Sequence, residues 1–210
     1  MYYAVARGNT KGVFDNWTDC KQSVQGYSNA IFKKFTTLED ANQFIDEHTK
    51  PSVNNESQPD YYVYTDGACS KNGTSHASAG IGIYFSPNDS RNVSMRLSGK
   101  QTNNAAELTA IIKAIQIVEN DVRNGKCVAI VTDSEYSIRC ATTYGEKCAK
   151  KQWKDDIPNQ DLVRELYEVY SQTSTIKFIH IKAHTRLMDI HSIGNREADK
   201  LACEGVTKYS

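Results

Sequence analysis

Four acidic residues, far apart along the chain, occupy positions at which a carboxylate could serve a reaction. Asp66 and Asp133 each follow a run of apolar or aromatic β-formers and a threonine, whereas Glu107 and Asp199 fall in the early turns of two helical patterns. A carboxylate placed among apolar elements is costly unless it is paired, hydrogen-bonded or bound to metal. If the four converge, they form a set of hard oxygen ligands of the kind that Mg²⁺ prefers. Two such ions about 3.5–4 Å apart can support in-line phosphodiester cleavage by water.

Each acid also has a simpler interpretation when it is considered alone. Asp66 would be a turn residue before Gly67, Glu107 a partner of a helix dipole, Asp133 a helix N-cap and Asp199 a surface acid. The Thr–Asp step recurs at two strand ends, and functional groups gather at the carboxyl ends of strands in parallel sheets. The repetition therefore favours a shared site.

The elements that must position these acids lie after residue 60. Hydrophobic periodicity predicts a strand ending at Asp66, strands over 79–85 and 92–97, a helix over 103–121, a strand over 128–133, a helix from 134, a helix over 161–170, a strand over 175–182 and a last helix from 193. Short turns between the first three strands indicate an antiparallel meander. The nearly continuous apolar run at 128–132 is typical of a central parallel strand.

Composition divides the chain into three parts. Residues 1–47 predict a small α+β unit with strands near 2–6, 12–14 and 30–35. Residues 48–60 are polar, carry two prolines and have no periodicity, which is typical of a linker. Residues 61–210 form the larger α/β unit.

Overall composition, net charge and cysteine count limit the class of protein to which the chain can belong. The chain has 210 residues, of which 39% are hydrophobic, as is ordinary for a globular protein. Its 25 basic and 25 acidic side chains give a formal net charge of zero. Total charge therefore neither supports nor excludes a polyanionic partner. Six scattered cysteines without metal-ligand spacing indicate reduced thiols. No apolar run suits a membrane span, and no secretory or transit signal is seen. We expect an intracellular protein, cytoplasmic or nuclear, without a membrane partner.

The N-terminal unit mixes cations with aromatic rings, which suits a nucleic-acid backbone, although a solvated lysine pair beside core aromatics would have the same composition. Its segments 2–8, 12–14, 17–20 and 32–35 resemble the N-terminal hybrid-binding domain of eukaryotic ribonucleases H. The resemblance implies contacts with the minor groove of an RNA/DNA duplex from Tyr3, Trp17, Phe32, Lys33 and Lys34. One departure is Ile31, where the family often has a basic residue.

The larger unit carries four motifs in order, at residues 65–73, 102–107, 131–134 and 194–199, and together they resemble a type-1 ribonuclease H. The resemblance implies a mixed five-stranded sheet flanked by helices. It also implies an endonuclease that hydrolyses the RNA strand of RNA/DNA hybrids and leaves 5′-phosphate and 3′-hydroxyl ends. Two Mg²⁺ ions, with Mn²⁺ as a substitute, would be held by Asp66, Glu107, Asp133 and Asp199, with Asp66 bridging both. A monomer that also binds duplex RNA through the N-terminal unit is expected.

Selectivity for RNA must depend on the 2′-hydroxyl group, which DNA lacks. By resemblance, the groove that contacts this group is lined by the main chain of Cys69 and by Asn72, Asn103, Asn104 and Glu107. Lys100 and Thr102 match positions that hold a phosphate of the DNA strand. Asn104 stands where the family usually has glutamine, so this contact is expected to be shorter.

The family has one histidine, on a loop before the last acid, that assists proton transfer and product release. Imidazole suits a proton shuttle near neutral pH. His184 directly follows the last strand and is favoured, with His191 as the alternative, while His180 reads as a packed or surface residue. The lysine-rich segment 147–154, with Trp153, fits a substrate-gripping segment and a solvated loop equally well.

Two other functions remain open on the sequence. A non-catalytic hybrid-binding protein would need the N-terminal unit, but it would not need all four acids. A 3′–5′ exonuclease of the same fold usually begins with an Asp-x-Glu pair, whereas Asp66 is followed by Gly67 and Ala68.

Overall fold

The computed structural model describes residues 1–49, 58–183 and 189–208. The chain divides into two compact units, with the boundary between residues 57 and 58. Within the described residues, every helix is too short or too polar to cross a lipid bilayer.

The first unit is a three-stranded antiparallel sheet with two helices. Its elements are β1 (Tyr2–Arg7), β2 (Gly12–Phe14), α1 (Trp17–Val24), β3 (Ile31–Phe35) and α2 (Leu38–Thr49). The strand order is β2-β1-β3. Asn16 begins α1 as its N-cap, because its side chain accepts a hydrogen bond of 3.0 Å from the amide of Asp19. Helix α2 follows β3 after a short connection and ends at Thr49.

The second unit is a mixed five-stranded sheet flanked by helices. Its elements are β4 (Tyr61–Ser70), β5 (Ser78–Tyr84), β6 (Val93–Arg96), α3 (Asn103–Arg123), β7 (Val128–Thr132), α4 (Glu135–Ala141), α5 (Thr143–Lys150), α6 (Gln160–Ser171), β8 (Ile176–His180) and α7 (Ile190–Thr207). The strand order is β6-β5-β4-β7-β8. Strands β4 to β6 pair antiparallel, and β7 runs parallel to both β4 and β8. The predicted meander and central parallel strand are therefore confirmed.

Helices cover both faces of this sheet. On one face, Leu108 and Ile111 of α3 pack with Val63 and Ile130 in the main core, and all four side chains are fully buried. Each such side chain contributes about 1.5–3 kcal/mol to stability. On the other face, Ala198 of α7 packs in a smaller cluster with Tyr64 and Val131. Acids carried by α3 and α7 can therefore approach the same sheet edge from opposite sides.

One local expectation was wrong, and one open alternative is excluded for part of its segment. Helix α7 begins at Ile190, three residues earlier than expected, because the Asp189 side chain caps it by accepting from the amides of His191 and Ser192. The first part of the lysine-rich segment is not a loop, since α5 runs to Lys150. Trp153 packs against the main core, and its ring centroid lies 6.3 Å from that of Tyr167.

Candidate active site

Asp66 lies inside β4, the central strand of the larger sheet. Its neighbour across the antiparallel pair is Gly82 of β5, and only 7% of the Asp66 side chain is exposed. The main-chain N–H of Gly67 donates a hydrogen bond of 2.7 Å to the Asp66 carboxylate. This donor partly offsets the cost of burying the charge.

Glu107 reaches Asp66 because α3 approaches β4 closely. A Cβ atom at Gly67 would overlap the main chain of Ala106 and Glu107, so only glycine permits this contact. The helix start is fixed by Thr102, whose hydroxyl accepts a hydrogen bond of 3.2 Å from the amide of Ala105. Glu107 is 6% exposed, and its buried Oε2 has no hydrogen-bond partner within the described part of the chain.

Asp133 follows the last residue of β7. The N-cap of α4 is Ser134, whose hydroxyl accepts from the amide of Ser137, so the alternative interpretation of Asp133 as the cap is wrong. Instead, the Oδ2 atom of Asp133 accepts a hydrogen bond of 3.1 Å from Nδ2 of Asn195. The Nε2 atom of His180 lies 3.2 Å from the main-chain oxygen of Asp133.

Asp199 comes from α7 on the opposite face of the sheet. A Cβ atom at Gly82 would overlap the main chain of Ala198 and Ala202, so a glycine beside Asp66 again sets the distance between helix and strand. A cavity of about 410 Å³ brings the four acids together. Its lining residues are Asp66, Gly67, Ala68, Asn103, Asn104, Glu107, Asp133, Ser134, Ala183 and Asp199.

The acids perturb one another electrostatically. One oxygen from each of Asp66, Glu107 and Asp133 lies within 4.8 Å of the other two. Burial, together with the charges of Asp133 and Asp199, raises the pKa of Asp66 to about 7. Burial and the nearby Asp66 and Asp133 raise the pKa of Glu107 well above its ordinary value. Burial and mutual repulsion thus both disfavour the charged forms of Asp66 and Glu107.

The donor set fits a divalent cation. Carboxylate oxygens are the ligands that Mg²⁺ and Mn²⁺ prefer, and the unpartnered Glu107 Oε2 is a buried acceptor that a cation could satisfy. Asp66, Glu107 and Asp133 could hold an ion directly, and Asp199 lines the same cavity.

The residues expected to contact substrate lie around this cavity to different degrees. Asn103 and Asn104 line it, and the Asn72 side chain accepts a hydrogen bond of 3.4 Å from the amide of Asn103. Cys69 is half-buried beside the same turn, with its thiol 3.6 Å from the main-chain oxygen of Gln101. Lys100 is exposed, and Thr102 serves as the cap of α3.

The histidines occupy three different settings. His184 lies outside the described residues. His191 lies in the first turn of α7, where its ring contacts Tyr62 edge-on at 4.8 Å and its Nδ1 lies 3.4 Å from the hydroxyl of Tyr64. It is not among the residues that line the acidic cavity. His180 is exposed at the end of β8, but its contact with the main chain of Asp133 places it beside the site.

The first unit has a surface of aromatic and basic side chains. Trp17 lies between Tyr3 and Phe32, with ring centroids at 5.5 and 6.0 Å, and Lys34 extends over the ring of Tyr3. Trp17 and Phe32 are 46% and 43% exposed, which is unusual for large apolar side chains.

Lys33 lies apart from this group. It is adjacent to Lys34 in β3 and therefore points to the opposite face of the strand. There its ammonium lies over the ring of Phe35, which packs against Phe44 of α2. The structure thus groups four of the five residues expected on the duplex-binding surface, namely Tyr3, Trp17, Phe32 and Lys34.

Comparison with known proteins gives this geometry a context. A family model described as RNase H matches residues 58–207, and a second, described as the ribonuclease H1 N-terminal domain, matches residues 1–45. The chain belongs to the ribonuclease H family. Ribonuclease H1 of Rattus norvegicus is 31% identical over 98% of this chain and 89% of its own length. Ribonuclease H of Schizosaccharomyces pombe is 28% identical over 99% of this chain and 97% of its own.

A solved structure agrees with this assignment. The RNase H domain of PFV superimposes with a TM-score of 0.58 at 25% identity, and the match covers 71% of this chain and 95% of that domain. The expected ribonuclease H-like fold of the larger unit is confirmed, and the protein is a ribonuclease H-family enzyme.

Sequence reasoning did not assign a role to two residues of this ribonuclease H site. Gly82 was read only as part of a strand, although a glycine in a strand interior often marks close approach of another backbone. Asn195 belongs to the motif at residues 194–199, but the sequence alone assigns it no role. Its hydrogen bond to Asp133 joins residues 62 positions apart, and no local pattern could have predicted that contact.

Proposed function

We propose that this chain hydrolyses the RNA strand of RNA/DNA hybrids as an endonuclease, leaving 5′-phosphate and 3′-hydroxyl ends. The observation that carries the proposal is the convergence of Asp66, Glu107 and Asp133 in one cavity that Asp199 also lines. Its relatives are ribonucleases H over nearly the whole chain. Together, the site and the relatives favour phosphodiester hydrolysis over binding alone.

Two Mg²⁺ ions, with Mn²⁺ as a substitute, are the proposed cofactors, and the four carboxylates would hold them. When bound, such ions neutralise charge on the phosphate and increase the acidity of the attacking water. The Gly67 amide and the tight junction of α3 with β4 hold the carboxylates of Asp66 and Glu107 in place. This preorganisation reduces the cost of assembling four like charges when substrate binds.

Selectivity for RNA is proposed to come from the amide side chains next to the acids. Asn103 and Asn104 line the cavity beside Glu107, so a 2′-hydroxyl near the reacting phosphate would lie within their reach. Asn72, which accepts from the Asn103 amide, and the main chain of Cys69 would complete this surface. Lys100 and Thr102 are proposed to hold a phosphate of the DNA strand.

The first unit is proposed to bind the hybrid independently of cleavage, and also duplex RNA. The exposed rings of Trp17 and Phe32 offer stacking surfaces, and Lys34 offers a cation for phosphate. We propose that the protein acts as a monomer and that His184 assists proton transfer and product release.

A cleavage assay on labelled duplexes tests the proposal. Hybrid, duplex RNA and duplex DNA of one sequence are incubated with the full chain, with Mg²⁺ or with EDTA. We expect Mg²⁺-dependent cleavage of the RNA strand of the hybrid. Duplex RNA and duplex DNA should remain intact. A circular hybrid without ends should also be cut, which an exonuclease cannot do. Tight binding of hybrid without any cleavage would instead favour a non-catalytic binding protein.

A further inference from the structure

We infer that Asn195 is a positioning residue that fixes the carboxylate of Asp133 for metal binding. The inference rests on the function proposed above, because it assigns Asp133 to the metal-binding set. Asn195 itself is not expected to contact the ion or the reacting phosphate.

The first observation is the setting of the Asn195 side chain. It is 6% exposed, and its Nδ2 donates to Oδ2 of Asp133 at 3.1 Å. Its buried Oδ1 has no hydrogen-bond partner among the residues that the structure describes. A buried amide oxygen without a partner is unfavourable, so the hydrogen bond to Asp133 is the polar contact that favours this placement of the side chain. The reverse orientation of the amide would place a carbonyl oxygen against a carboxylate, so the contact defines one orientation.

The second observation is that Asp133 lacks the support available to Asp66. Asp66 lies inside β4 and accepts from the N–H of Gly67, whereas Asp133 lies just beyond the end of β7. His180 contacts the main-chain oxygen of Asp133, which leaves the orientation of the carboxylate to another group. Among the residues that the structure describes, Asn195 supplies that contact. The bond to Oδ2 restrains rotation of the carboxylate and leaves Oδ1 free of this contact. Carboxylates that bind metal are usually held by outer hydrogen bonds of this kind.

The third observation concerns the helix that carries Asn195. Asn195 and Asp199 are four residues apart in α7 and therefore lie on the same side of the helix. The preceding residue, Gly194, packs directly against the ring of Tyr64, where a side chain would overlap the ring. This contact seats the first turns of α7 on β4. The same stretch of helix thus contributes one acid and supports a second acid from another strand.

The alternative is that Asn195 merely docks α7 on the sheet. Ser94 supplies the matched control, because its hydroxyl donates a hydrogen bond of 2.7 Å to the main-chain oxygen of Leu201 in the same helix. Ser94→Ala therefore removes one bond that docks α7 without touching the carboxylates. A purely structural role predicts similar behaviour for Asn195→Ala and Ser94→Ala.

The test measures metal response in two ways on the full chain. Mg²⁺ is titrated against the thermal unfolding temperature without substrate, and against kcat and KM for a labelled hybrid. For Asn195→Ala we expect the half-saturating Mg²⁺ concentration to rise about 10-fold in both titrations, the lower range for outer-group substitutions at metal sites. KM for the hybrid should stay within about twofold, and excess Mg²⁺ should restore much of kcat. Ser94→Ala should lower the unfolding temperature and keep the wild-type Mg²⁺ response.

Asn195→Ser serves as a second variant, because its smaller polar side chain tolerates a water molecule but cannot reach Asp133. It should behave like Asn195→Ala in both titrations. Wild-type Mg²⁺ dependence in either Asn195 variant would overturn the inference, as would an equal shift in Ser94→Ala. If the wild-type chain itself shows neither Mg²⁺-dependent stabilisation nor cleavage, the proposed function fails as well. If the wild-type chain responds to Mg²⁺ and the Asn195 variants show the same response, the positioning role fails but the proposed function stands.

Discussion

Gly67 and Glu107 are in direct main-chain contact, and this contact joins strand β4 to helix α3. A Cβ atom at residue 67 would lie well inside van der Waals contact with the Glu107 amide nitrogen and would force the two segments apart. Because Asp66 precedes Gly67, the contact also fixes the spacing between the two buried carboxylates. The lack of a side chain at Gly67 thus allows the carboxylates of Asp66 and Glu107 to lie close together.

Gly67→Ala should therefore impair the site without altering any acidic residue. The added methyl group must push α3 away from β4 and displace Glu107, so we expect the free energy of unfolding to fall by about 1–3 kcal/mol. Cleavage at saturating Mg²⁺ should fall by at least about 10-fold, because small displacements in a reacting site are costly. Urea denaturation and hybrid cleavage measure the two effects.

A surface variant on the same helix provides the control for this prediction. Glu119→Ala breaks an exposed ion pair with Arg123 and should change stability by less than about 1 kcal/mol. Wild-type activity in Gly67→Ala would show that the close approach does not position Glu107.

Asp66→Asn should abolish cleavage and yet stabilise the metal-free protein above neutral pH. The pKa of Asp66 is raised in the folded state to about 7, so the folded protein binds this proton more tightly than the unfolded chain. Its favourable contribution is complete below pH ~4 and is lost as the pH rises through about 7. In EDTA at pH 8, the variant should therefore be more stable by roughly 1–3 kcal/mol, with the difference vanishing near pH 4.

Thermal unfolding at the two pH values checks this sign. Asp121→Asn is an instructive counterpart, because hydrogen bonds from Tyr61 and Lys126 lower the pKa of Asp121. Its stabilising contribution is present at neutral pH and lost on acidification, so this variant should be less stable at pH 8. An Asp66→Asn protein that is less stable than wild type at pH 8 in EDTA would contradict the assignment of a charged, repulsive cluster.

The first unit should bind nucleic acid through one face of its sheet. Lys34→Ala and Trp17→Ala should each weaken hybrid binding. Lys34→Ala should also make the slope of log K against log[salt] shallower, by about the amount that one phosphate contact contributes. Lys33→Ala is the matched control, since Lys33 lies on the opposite face over Phe35. Fluorescence anisotropy with labelled hybrid at several salt concentrations makes the comparison. Equal losses for Lys33→Ala and Lys34→Ala would contradict a one-faced surface.

The positions of the acids could be predicted because each depends on local pattern. Asp133 follows a fully buried strand of four apolar residues and a threonine, and turn length and apolar continuity predicted the antiparallel meander and the central parallel strand. The face of a strand on which a side chain lies and the residue at which a helix begins were harder to predict. Lys33 and Lys34 were treated as a pair, although strand alternation separates them. Helix α7 begins at Ile190 and not at the predicted residue 193, because the Asp189 side chain caps it, and this cap decides that His191 lies in a helix and not in a loop.

The two candidate loop histidines should respond differently to substitution. His191 packs edge-on against Tyr62 and lies beside Tyr64, so His191→Ala should lower the free energy of unfolding by about 1 kcal/mol through lost ring contacts. Its kcat should stay within about twofold, because it does not line the acidic cavity. His184→Ala should instead lower kcat by about 100-fold, the low end of the effect of general acid–base catalysis. Single-turnover and steady-state kinetics would separate chemistry from product release. If kcat falls strongly in His191→Ala and not in His184→Ala, His191 is the histidine that assists proton transfer and His184 is not.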